Sequence, residues 1–389
     1  MRYPLLDGFR GYFLVTMTVH HLSFELVLPL QLLDYTRFST FGAAQGFVFL
    51  SGVVVAMVYG RKLIKGSEAD MRRALWKRIG VIYRYHLGLV AVILAFSMAV
   101  VAFGVQSPLA QSNTGAPVLN ALLSLLLLSG PSFIDILPMY LVFMAFTPMA
   151  LVALHRGEIA QVVAVSLALW VFAQTGIYGL FLDWLNTVLG LRAMGSYGIG
   201  MYFDRFAWQL VFVCGLIAGM LWAQGRLELD LLKDPRMAKV VPVLLVLFFV
   251  FLAAKLGTEI KALPAPFRAA LETGLSHPHI SVLRFANFAM MVLLAVWLIV
   301  AGPDHPYRLA RLAARGLRGL MTWRPFVLLG QQSLLVYSYH VALVYAVTCL
   351  VPVQSWSNLW QQIASLICAT SLLLPALAGK WWQGRRRQT

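Results

Sequence analysis

Arg10 and His21 stand eleven residues apart in the first apolar segment of the chain. At 100° per residue their side chains project within about 20° of one another on a helix, and at 1.5 Å per residue they are roughly 16 Å apart along its axis. An imidazole with an ordinary pKa near 6.5 accepts a proton close to neutral pH. A guanidinium grips phosphate or carboxylate through two parallel donors. A candidate base and a candidate anion clamp thus share one helix face. Ionisable side chains inside a membrane are costly and are functional candidates for that reason. The alternative is a buried Arg or His satisfied by a neighbouring helix. Asp7, one turn before Arg10, is placed to pair with it and hold the guanidinium. His20 diverges from Arg10 by about 80° and is a weaker candidate, either orienting His21 or packing.

The elements that must position these residues are membrane helices. Of 389 residues, 60% are hydrophobic and 12% charged, and mean hydropathy is +0.78. Soluble domains carry about 25% charged residues, so the expected class is an all-α polytopic integral membrane protein. Apolar spans fall at 8–31, 42–60, 79–104, 133–154, 160–182, 205–224, 239–256, 283–302, 325–351 and 358–380. Residues 117–130 are apolar but too short to cross about 30 Å of hydrocarbon. They are expected to form a re-entrant or interfacial half-helix. The expectation is about ten transmembrane helices plus that short one, in a single domain over 1–389, without a cleavable leader.

The net charge of +16 is distributed by loop. Arg2, the 61–78 loop, Arg156, the 226–239 loop, the 308–324 loop and the tail from Lys380 hold 22 of the 31 Lys and Arg. That is the positive-inside bias: it puts both termini in the cytoplasm and makes basic charge an orientation signal, not a nucleic-acid surface. Cys214, Cys349 and Cys368 show no paired or metal-like spacing. His277 and His279 flank Pro278 without a third ligand by spacing, so no metal is expected.

Gly46-Phe47-Val48-Phe49-Leu50-Ser51-Gly52 reads by itself as a small-residue patch for close helix approach. Together with Leu6-Asp7-Gly8-Phe9-Arg10-Gly11, the Arg10/His21 pair, and the later Leu329, Gly330, Ser333, Leu334 and His340, it resembles the acyltransferase-3 family of integral membrane enzymes. Asp135-Ile136-Leu137-Pro138-Met139-Tyr140 and Phe206-Ala207-Trp208-Gln209-Leu210 are similar to elements of its osmoregulated periplasmic glucan succinyltransferase, or OpgC-like, branch. The chain departs from the family's third-helix arginine pattern, having Lys77-Arg78-Ile79 and Tyr83-Arg84-Tyr85-His86 instead.

The resemblance implies a bacterial inner-membrane O-acyltransferase. It would move an acyl group, expected to be succinyl, from cytoplasmic acyl-coenzyme A to a hydroxyl of a periplasmic glucan, with no tightly bound cofactor. His21 would be general base with Arg10 and Asp7 beside it. Arg10, Arg78, Arg84 and Ser51 would meet the donor, and Asp135, Tyr140, Trp208 and Gln209 the acceptor. Each has a plainer reading. Asp135 suits a helix N-cap, Trp208 an interface anchor near Asp204 and Arg205, and His86 and His340 satisfied interior histidines. The rival class is a secondary transporter or glycan flippase, which would show two halves with matched broken helices; only one short segment is visible.

Overall fold

A computed structural model describes residues 3–22, 39–234, 236–259, 263–351 and 355–385. It is an all-α polytopic membrane protein. Helix α1 covers Pro4–Leu22, followed by α2 (Ala43–Val55), a π-helical turn (Ala56–Gly60), α3 (Arg61–Lys65), α4 (Glu68–Ala102), α5 (Pro108–Thr114), α6 (Pro117–Leu125) and α7 (Ile136–His155). Then come α8 (Ile159–Gln174), α9 (Ile177–Val188), α10 (Arg205–Ala223), α11 (Met237–Glu259), α12 (Ala265–Gly274) and α13 (Val282–Val300). The chain closes with α14 (Arg308–Met321), α15 (Arg324–Gln331), α16 (Ser333–Leu350), α17 (Asn358–Ser371) and α18 (Leu373–Arg385).

Among the described residues eight helices are long and apolar enough to cross a membrane, or nine if the bent pair α8–α9 is one span. Ten were expected, and α1 makes the difference: Asp7, Arg10, His20 and His21 dilute its hydropathy. The second half of the expected 8–31 span lies outside the described residues. The 61–78 stretch is mostly helix rather than loop, because Ser67 caps α4 by accepting from the Asp70 amide at 3.1 Å. Glu68 and Arg72, one turn apart, then pair at 2.7 Å. The 160–182 span bends by 58° at Gly176, whose φ of +73° favours glycine. The 325–351 span is broken at Gln332. Residues 117–130 form the short helix α6 and then irregular backbone; α5 before it was not foreseen.

Two glycine seams bring the central helices into backbone contact. A Cβ at Gly8, Gly11 or Gly330 would collide with the carbonyl oxygens of Met321, Phe326 and Asp7 respectively, so α1 lies directly on α15 and on the end of α14. Gly52, Gly215 and Gly219 do the same for α2 and α10, which confirms the small-residue reading of the Leu50-Ser51-Gly52 element. At the start of α1, Arg61 donates to the Tyr3 hydroxyl at 2.7 Å, and Gly8 abuts Met321. The basic stretches around 61–78 and 308–324 thus meet at one end of α1, and His21 stands at the other.

Candidate functional site

At the Arg10 end, the guanidinium donates to Ser333 Oγ at 2.6 Å and lies 5.6 Å from the centre of the Phe47 ring. It faces a cavity of about 640 Å³ shared with Arg78, Tyr85, Gln331, Gln332, Trp382 and Gln383. Gln383 donates to Gln332 Oε1 at 3.2 Å, tying α18 to the wall. The buried Arg10 Nε has no hydrogen-bond partner among the described residues, and Asp7 and Arg78 lie within electrostatic range of it. Two guanidinium groups and several amides around one cavity make a chamber whose chemistry suits an anion. Tyr140, expected at the acceptor end, is within electrostatic range of both Arg10 and Arg78 and so belongs nearer this chamber. Arg84 lies away from it. Its side chain is exposed and donates to Gly80 O of its own helix at 3.2 Å. Ser51 is buried beside the α2–α10 seam.

At the other end of α1, His21 is half-buried and His20 exposed, as the helical wheel required. The His21 ring stacks on His340 of α16, with centroids 5.5 Å apart and planes 24° apart. It also meets Phe133 at 4.7 Å. His340 Nδ1 lies 2.6 Å from Tyr337 O. A carbonyl only accepts, so Nδ1 carries the proton and Nε2 keeps the basic lone pair. His340 Nε2 and His21 Nδ1 are both buried without a hydrogen-bond partner among the described residues. Two imidazole nitrogens without partners among the described residues are therefore held on stacked rings. The sequence reading undervalued His340 because a contact between helices over three hundred residues apart leaves no trace in local spacing.

The irregular segment after α6 packs against the histidine pair through Phe133. Phe133 sits at φ 71° and Leu127 at φ 58°, left-handed conformations that non-glycine residues seldom adopt and that concentrate at functional sites. The strain is held by many ties. Tyr337 donates to Phe133 O at 2.9 Å and Gly200 N to Leu128 O at 3.0 Å. The Arg205 guanidinium reaches Leu127 O, and Tyr83 donates to Leu125 O at 2.9 Å. His86 is buried on Ser124 O at 2.9 Å, an interior histidine bracing α6 against α4.

Asp135 begins α7, but its side chain makes no cap hydrogen bond, correcting the N-cap reading. Burial instead pushes its carboxyl up to about 6, against the opposing pull of backbone amides and of Arg205. It lies within electrostatic range of Tyr337, whose ring meets His340. Trp208 and Gln209 are partnered by other residues than the histidine pair. Trp208 is fully buried and donates to Pro278 O at 3.0 Å. Gln209 exchanges hydrogen bonds with Ser166 at 2.7 Å in both directions. Both side chains are used in packing. Asp204 caps α10 through the Phe206 and Ala207 amides and lies 3.3 Å from His279 Nδ1. His277, packed against Phe203 and Trp208, is held well below the usual imidazole range by burial, then by Arg284 and His20.

No curated protein and no solved structure matches this chain. A family profile described as OpgC protein matches residues 2–384, nearly the whole length, taking in both ends of α1 and the histidine partner on α16. By that match the chain belongs to the OpgC protein family.

Proposed function

We propose that this protein is an inner-membrane O-acyltransferase that moves a succinyl group from cytoplasmic succinyl-coenzyme A to a hydroxyl of a periplasmic glucan. Membership of the OpgC family supports the glucan-modifying transferase class. The observation that carries the chemistry is the division of labour along α1, with an anion chamber at Arg10 and a pair of imidazoles with free nitrogens at His21. In this reading Arg10 and Arg78 hold the donor phosphates while the thioester reaches towards His21. The glucan hydroxyl oxygen attacks the thioester carbonyl, forming the ester C–O bond as the C–S bond breaks. His21 takes the hydroxyl proton and passes it to the departing sulfur, leaving free coenzyme A. His340, fixed by its bond to Tyr337 O, shelves the His21 ring. Asp135 lies near enough to meet the acceptor.

The test is mass spectrometry of periplasmic glucans from cells with and without the protein, alongside thermal unfolding of the purified chain with coenzyme A. A succinyl mass increment that depends on the protein, and stabilisation that rises with ligand concentration, are the expected results. Unchanged glucans together with no stabilisation at millimolar coenzyme A would refute the proposal.

A further inference from the structure

A cleft of about 630 Å³ opens between α3 and α4. Its walls carry Arg61, Lys62 and Lys65 of α3 and Arg73 and Lys77 of α4, with Asp70 as the one carboxylate among them. Arg73 lies 3.6 Å from Asp70. Lys62, Lys65 and Lys77 form no ion pair among the described residues. The positive-inside bias accounts for basic charge on this stretch, but scattered charge would satisfy it equally. Like charges repel, so cations gathered around one cleft are stabilised by an anion set between them.

Three contacts fix where the cleft lies. Arg61 donates to the Tyr3 hydroxyl at 2.7 Å. Tyr3 precedes Arg10 by seven residues, which puts it about 10 Å further from His21 along α1. On α4, Lys77 lines the cleft and Arg78, the next residue, lines the Arg10 chamber. Tyr59, on the π-helical turn that leads into α3, is within electrostatic range of Arg78. The order along α1 is therefore cationic cleft, Arg10 chamber, imidazole pair. Coenzyme A has the same order of parts. Its thioester arm leaves one side of the diphosphate, and the ribose with its 3′-phosphate leaves the other. With the diphosphate on Arg10 and Arg78 and the arm directed to His21, the 3′-phosphate falls on the side of the cleft. Such a phosphate monoester carries about −1.5 to −2 charge at pH 7.

We propose that the α3–α4 cleft seats the 3′-phosphate of the donor's nucleotide on Lys62, Lys65, Arg73 and Lys77. This rests on the acyl-donor reading above and adds to it a site that recognises the nucleotide apart from the acyl group.

The experiment is isothermal titration of the full-length protein, in a non-ionic detergent, with coenzyme A and with dephospho-coenzyme A, which lacks only the 3′-phosphate. Coenzyme A is expected to bind about tenfold tighter or more, and the preference should shrink as salt is raised. Lys62→Gln and Lys77→Gln should each cut the preference about threefold by weakening coenzyme A. Both should leave dephospho-coenzyme A unaffected, which also reports that the variants are folded. Arg72→Gln, on the same helix but outside the cleft, should keep the full preference. Equal affinity of the unmodified protein for the two nucleotides would overturn this proposal and leave the donor reading standing. Failure of both to bind would overturn the two together. Variants that weaken both nucleotides alike would reduce the cleft to general attraction and overturn the proposal. So would a preference that vanishes in phosphatidylglycerol nanodiscs and persists in phosphatidylcholine ones, by giving the cleft to lipid headgroups.

Discussion

Gly330→Ala should separate two helices and break the Arg10–Ser333 contact at a distance. The added Cβ would sit far inside 3.0 Å of Asp7 O, closer than real Cβ atoms come. Both obstructing groups are backbone in regular helices, so no flexible side chain can yield. To reach ordinary contact α15 must retreat from α1 by more than about 1 Å. Ser333, the first residue of α16 just past the break at Gln332, is pulled with it through the single connecting residue. The Arg10–Ser333 hydrogen bond, 2.6 Å long, would then pass the 3.5 Å at which a hydrogen bond ceases to count. Overpacking of this kind costs about 1–3 kcal/mol, and losing a hydrogen bond to a charged group adds about 1.5–3 kcal/mol at the site. The assay pairs thermal unfolding with coenzyme A affinity. A loss of stability together with donor binding weakened about tenfold or more is expected, at 1.4 kcal/mol per factor of ten. Gly80→Ala and Gly88→Ala are the controls: nothing lies within 4 Å of a Cβ at either position, so each should leave binding intact and stabilise α4 by about 0.5–1 kcal/mol. If Gly330→Ala melted and bound donor like the unmodified chain, the seam argument would be wrong.

His21→Ala should reduce acyl transfer about 10²–10⁴-fold with donor affinity preserved, and His20→Ala should be milder; the reverse order in a turnover assay would sink the base assignment. Arg78→Ala should weaken coenzyme A binding, whereas Arg84→Ala, exposed and bonded to its own helix, should not, as isothermal titration will tell. The Asp135 carboxyl titrates near 6 in the folded chain and ordinarily near 3.8, so the folded state binds the proton more tightly. Stability from this group is full below about 3.8 and is lost as pH rises through about 6. Unfolding midpoints of Asp135→Asn should lack that decline, and an identical pH profile would contradict it. Reporters at both termini and in 61–78 should read cytoplasmic, with 183–204 and 257–282 external; an external C-terminus would require residues 117–130 to span.

What the sequence made legible was local. The helical period placed His21 and Arg10 on one side of α1 and His20 off it, because eleven residues return close to a whole number of turns. Apolar runs located the spans, since lipid forces backbone hydrogen bonding inside each segment. What stayed hidden depended on contacts between helices. His340 gains its meaning only from stacking on His21. Trp208 shares its element with a rim aspartate yet turns inward to Pro278 O. The basic 61–78 stretch looked like a loop because its charges mask a capped helix start. Arg84 and Arg78, on one helix, differ only in which way that helix faces the cavity.

The seating of both polar centres on α1 has a further consequence. Helix α1 is an uninterrupted helix from Pro4 to Leu22, clamped along its first half by the glycine contacts to α14 and α15. The interval between Arg10 and His21 is therefore set by the hydrogen-bonded rise of one continuous helix. On the reading proposed above, α1 is a ruler: it measures the arm between the donor's charged anchor and its reactive carbonyl, and it is indifferent to the acyl group beyond. Inserting one helical turn between the two residues would keep them nearly on the same side but lengthen the interval by about 5.4 Å. Such a chain would still grip coenzyme A and would hold every thioester out of register, whatever acid it carried.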